Sequence, residues 1–310
     1  MSTRQAQPSS NSEVDSPYAW LRLMVTLAIM TLGASGMYIV PVVLPAVQAE
    51  FGVSRADASL PYTLVMIGFG LGGLLMGRLA DRYGIWLPLL LGAAGLGLGF
   101  GGAAWTDNIQ QFSLVHGLLI GLLGCSATFA PLLADTTLWF ARRRGIAVAI
   151  CASGNYLGGA LWPPIVQHFV HSHGWRTTYM GMAIIAGVTI AGLALLMRRP
   201  APISALSPSS AAGNPSAGVA NDKPFGLSSG RALALLSIAS VACCVAMSMP
   251  QVHIVAYCTD LGYGAARGAE MLSLMMAAGV VSRLISGAIC DRIGGLRTLL
   301  LGSGLQGVAL

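Results

Sequence analysis

Gly77-Arg78-Leu79-Ala80-Asp81-Arg82-Tyr83-Gly84 returns in kind as Gly287-Ala288-Ile289-Cys290-Asp291-Arg292-Ile293-Gly294. Both stretches read G-x-x-x-D-R-x-G, they begin 210 residues apart, and each follows a long apolar run. Glycine permits a tight turn and close contact between helices. The aspartate can cap a helix or pair with an arginine, and the arginine holds the turn at a polar surface. Two occurrences at equivalent places predict a duplicated architecture.

The surrounding runs give its scale. A helix that crosses a bilayer needs about 20 mostly apolar residues. Such runs lie near Leu21–Val47, Leu60–Leu79, Ile85–Ala104, Phe112–Ala134, Gly145–His168 and Trp175–Met197, then Ala232–Tyr257 and Met271–Ile289. A ninth starts at Thr298 and reaches Leu310 after 13 residues. At ~1.5 Å per residue it rises about 20 Å, short of a hydrocarbon core of about 30 Å. The motif thus stands after the second and the eighth run, between the second and third helices of each of two groups. Expected is an all-α membrane bundle with six helices over 21–197 and an incomplete second group over 232–310. Gly68, Gly72 and Gly73 in the second run, and Gly154 and Gly158 in the fifth, suit close helix packing in lipid. Pro41, Pro45, Pro163 and Pro164 are expected to kink the first and fifth helices.

Composition agrees. Charged residues make up 9% and hydrophobic ones 55%, with mean hydropathy +0.72. A soluble domain carries about a quarter charged residues, so most of this exterior must face lipid. The net charge of +6 comes from arginines in short turns without interleaved aromatics, which excludes a nucleic-acid partner and points to topology. Six cysteines lie in or beside apolar runs without metal spacing.

With the N-terminus in the cytoplasm, Arg4, Arg22, Arg78, Arg82, Arg142, Arg143, Arg144, Arg198, Arg199, Lys223, Arg231, Arg292 and Arg297 fall inside. Only Arg55, Arg176 and Arg267 fall outside, and this thirteen-to-three bias sets a multi-pass orientation in the cell membrane. Residues 1–20 read as a cytoplasmic tail. The stretch 198–231, rich in Pro, Ser, Ala and Gly, reads as a linker.

A six-helix repeat carrying this motif resembles the major facilitator superfamily, in which two six-helix halves enclose a central site. In that family the motif latches one half against the other. By resemblance Gly77, Asp81, Arg82 and Gly84, with Gly287, Asp291 and Arg292, form the latch, although Ile85 and Trp86 follow the first copy where basic residues are common. Trp139-Phe140-Ala141-Arg142-Arg143-Arg144-Gly145 and Gly174-Trp175-Arg176 look like the monocarboxylate porters. The stretch from Pro250 through His253, Tyr257 and Asp260 to Tyr263, with Ser282-Arg283, is similar to the same group and to its oxalate/formate-antiporter-like relatives.

Arg283 is the most informative single residue. A guanidinium inside a membrane helix costs about 2.5–3.5 kcal/mol on insertion scales and usually marks a function. Facing a cavity it would grip a carboxylate through paired hydrogen bonds, the role the resemblance implies. Alternatively it snorkels toward Asp291, eight residues on, about 12 Å along the helix. The animal porters carry an acid one turn earlier, where this chain has Gly279, and a lysine in the first helix, where it has Tyr38-Ile39-Val40-Pro41. The lysine near the end of the oxalate-type chains is also absent from this sequence.

His253 and Tyr257 share a helix face after Pro250, and either line a transport site or anchor at the interface. Tyr38, Asn155 and Tyr156 are further cavity candidates. His116 is the candidate for proton coupling; the alternative is a histidine hydrogen-bonded between helices. His168, His171 and His173 lack carboxylate or cysteine partners, so no metal site is expected. There is no G-x-S-x-G and no Walker loop, so neither an enzyme, a cofactor nor direct use of ATP is expected. The reading is a secondary transporter in the bilayer. It takes a small solute, an organic anion such as a monocarboxylate first, with protons or a counter-transported anion as coupling partner. Export of a hydrophobic or cationic compound, or an inactive incomplete chain, are the rivals.

Overall fold

The computed structural model describes residues 14–200 and 228–309. Most of the expected tail and linker therefore lies outside the described residues. Within them every element is helical. The helices are α1 (Pro17–Gly33), α2 (Ser35–Phe51), α3 (Arg55–Tyr83), α4 (Trp86–Ala104), α5 (Ile109–Val115), a π-helical segment (His116–Cys125), α6 (Ala130–Trp139), α7 (Arg144–His173), α8 (Trp175–Leu196), α9 (Ser229–Asp260), α10 (Gly264–Ile293) and α11 (Gly295–Ala309). Seven stretches among the described residues are long and apolar enough to cross a membrane. They coincide with the first six apolar runs and the eighth. The seventh run lies in α9, where many side chains are outside the described set, and the ninth lies in α11, 15 residues long.

Local chemistry sets the helix ends. Ser16 caps α1 by accepting from the Ala19 N–H at 3.2 Å, with Pro17 in the first turn. Ser54 caps α3 in the same way through Asp57, so this helix starts five residues ahead of its apolar run. Gly84 and Gly294 close the two motif turns at φ 82° and 85°, a conformation that a Cβ disfavours.

The first apolar run is not one helix. It is interrupted at Ala34, while Pro41 and Pro45 lie inside α2 and Pro163 and Pro164 inside α7 without ending either helix. A neighbour sits against the interruption. A Cβ on Gly33 would overlap the Thr128 side chain, and the Cys125 thiol reaches the Gly33 carbonyl at 3.6 Å. Thr128 itself belongs to the second interruption, between the π-helical segment and α6, so two helix breaks meet. The π-helical segment packs its backbone against glycines of both neighbours. Gly68 and Gly72 of α3 abut the Gly117 and Leu122 carbonyls, and Gly95 of α4 faces Leu119. Only missing side chains admit so close an approach.

The buried apolar core is drawn from α1–α8. Two arginines rivet its ends. Arg22, 4% exposed, holds Asp135 through Nε and Nη2 at 3.0 and 3.1 Å. It also donates to the Met197 and Arg199 carbonyls just past α8 and lies 4.7 Å from the Trp139 ring centroid. At the other end Arg176 holds Glu50 at 2.8 and 3.0 Å and donates to the Ala104 and Thr106 carbonyls at the end of α4. Each guanidinium thus joins a carboxylate from one helix to the orphan carbonyls of another.

Candidate functional site

Helix α10 lies along α7, and one tyrosine between them organises the site. A Cβ on Gly279 would overlap the edge of the Tyr156 ring, so the ring packs directly on the α10 backbone. One turn on, the Arg283 guanidinium stands over the same ring, 4.3 Å from its centroid. Among the described residues Arg283 makes no ion pair with a carboxylate.

Tyr38 of α2 completes the group. Its ring lies against Gly159, its hydroxyl is 3.9 Å from the Met276 sulfur, and the Asn155 side chain lies nearby. Tyr62 of α3 and Arg283 both lie close enough to Tyr38 to interact electrostatically. Four expected site residues, Tyr38, Asn155, Tyr156 and Arg283, therefore share one location. Met276 and Tyr62 join them without having been singled out by sequence. Tyr156 is twelve residues into α7, about 18 Å from its start at Arg144. The guanidinium above it therefore stands level with the middle part of this 30-residue helix.

The other expected residues lie elsewhere. Tyr257 on α9 is 62% exposed and makes no ring contact or side-chain hydrogen bond among the described residues. The side chain of His253 lies outside the described residues. His116 is fully buried in the α1–α8 core. Its Nδ1 is 2.7 Å from the Phe112 carbonyl and its Nε2 3.1 Å from the Tyr179 hydroxyl, with the Phe112 ring tilted against it at 4.1 Å between centroids. That is the hydrogen-bonded placement between helices. His168, His171 and His173 occupy the last two turns of α7, where His173 meets Ser172 at 2.7 Å. An apolar groove between α10 and α11, lined in part by Val281, Ile285, Leu301 and Leu305, contains none of the expected residues.

The two motif copies differ. Asp291 accepts from the Gly145 and Ile146 amides at 2.6 and 2.9 Å and so caps the N-terminus of α7 from outside. The α7 N-cap residue, Arg143, supplies no side-chain cap of its own. Gly287 packs on Ala149 and Gly145. In the first copy Asp81 and Arg82 are exposed, Arg82 lies over Tyr83 at 5.3 Å, and a Cβ at Gly77 would meet open space.

The profile of the Major Facilitator Superfamily matches residues 25–310. The chain belongs to this superfamily. It is a multi-pass membrane protein and not an enzyme. Monocarboxylate transporter 13 of Rattus norvegicus is 28% identical over 82% of the chain and 56% of its own length. Monocarboxylate transporter 6 of Homo sapiens is 25% identical over 56% of the chain and 34% of its own length. The Agnestins efflux protein of Paecilomyces divaricatus is 26% identical over 73% and 49%. The superfamily chain thus spans about half the length of such relatives, or less. A solved structure of a double-tryptophan XylE mutant superposes with TM-score 0.50 at 17% identity, covering 58% of this chain and 44% of that one, and shares the fold.

Proposed function

We propose that this superfamily member is a secondary transporter that carries a small organic anion, a monocarboxylate first, by alternating access around the α7–α10 seam. The thirteen-to-three arginine bias supports an N-terminus that faces the cytoplasm. Residues 21–197 act as one moving half and the helices after the linker as the other. One observation carries the reading: Arg283 is held over Tyr156, level with the middle part of α7, with no carboxylate partner among the described residues. A snorkelling guanidinium would extend toward the helix end instead. With no acid paired to it among the described residues, a guanidinium on a membrane helix is free to receive a substrate carboxylate. Monocarboxylate transporters among the relatives agree with this chemistry. The efflux protein among them supports the rival, carriage of a hydrophobic or cationic compound. Uptake of radiolabelled pyruvate, competed in turn by a carboxylate series and by lipophilic cations, separates the two.

The test is Arg283→Ala. Charge-assisted hydrogen bonds are worth about 1.5–3 kcal/mol, so apparent pyruvate affinity should fall roughly 10- to 100-fold in proteoliposomes. Unchanged uptake would end the proposal. Arg283→Lys should rescue little, because an ammonium cannot present the paired fork.

A further inference from the structure

We infer that Gly279 and Tyr156 act together as a positioning device for Arg283: the bare α10 backbone at Gly279 seats the tyrosine ring, and the ring fixes the guanidinium. This rests on the proposed anion site and adds what aims it.

The geometry gives the argument. Gly279 and Arg283 are four residues apart, on one face of α10. Tyr156 is 8% exposed and spans both, with its ring edge against Gly279 and its face under Arg283. A guanidinium on a flexible stem in an apolar setting needs something to hold its plane. A carboxylate one turn away on α10 would hold it, but would also occupy the donors that a substrate carboxylate needs. A ring face holds the cation through its quadrupole and leaves the N–H edge unoccupied. Any side chain at 279 displaces that ring, so the glycine is a specificity-determining position and not merely a packing one.

The experiment measures pyruvate binding to the purified protein in detergent by calorimetry, with radiolabelled uptake for the split between KM and maximal rate. Tyr156→Phe keeps the ring face and should bind within about twofold of wild type. Tyr156→Leu and Gly279→Ala should each raise Kd and KM about fivefold to twentyfold while changing maximal rate far less. The double variant should be no worse than Tyr156→Leu alone, because both changes remove one interaction. Additive losses, or a Tyr156→Phe as poor as Tyr156→Leu, would overturn the device. Binding abolished by Arg283→Ala but untouched by Tyr156→Leu and Gly279→Ala would overturn it and leave the anion site standing. No pyruvate binding by wild type, or binding indifferent to Arg283→Ala, would remove both.

Discussion

One octapeptide pattern serves two places in this chain, and among the described residues one copy caps a helix while the other does not. At Gly287–Gly294 the aspartate caps α7 and the glycine seats on Ala149. At Gly77–Gly84 the same residue types face open space among the described residues. The difference lies in the partner. Helix α7 opens on Arg144-Gly145-Ile146 with no internal side-chain cap, so its amides need an acceptor from outside. The motif is therefore a plug, and a helix N-terminus without its own cap is the socket.

The comparison can be broken most strongly at the second glycine. Gly287→Leu forces a side chain into Ala149 and should cost about 1–3 kcal/mol, read as a lower thermal midpoint. Asp291→Ala should cost about 0.5–2 kcal/mol and speed maleimide labelling at Ile146→Cys, as the α7 end opens. Asp291→Asn should retain part of the effect. The first copy should answer differently. Asp81→Ala is expected to shift stability by no more than about 0.5 kcal/mol. Gly77→Ala, adding a methyl inside α3 where nothing stands near, should leave stability unchanged or raise it by up to about 1 kcal/mol. Equal responses at Asp81 and Asp291 would erase the distinction.

Much of the architecture is legible because 20 apolar residues in lipid have few alternatives to a helix. The interruptions are not. Gly33-Ala34-Ser35 looks like any small-residue stretch, and that Thr128 packs against it needs the fold. Helices α1 and α3 start ahead of their apolar runs, at Pro17 and Arg55, where Ser16 and Ser54 carry the capping signal. At the site, Arg283 declares itself as a charge within an apolar run. Gly279 reads only as a missing acid until Tyr156 is placed against it. That Asp291 can cap a helix follows from its chemistry; that the helix is α7 needs the fold. The pairing of Arg22 with Asp135 also went unread, since the pattern shows two charges at the ends of separate runs but not that they meet.

That pairing and its counterpart at Arg176 have a mechanical consequence. Arg22 fastens α1 and α6 to the end of α8, and Arg176 fastens α2 and α8 to the end of α4, so splaying any of these helix ends must break a charge-assisted bond. Removing either clamp should therefore fray the helix ends that it ties while leaving the opposite end of the block in place.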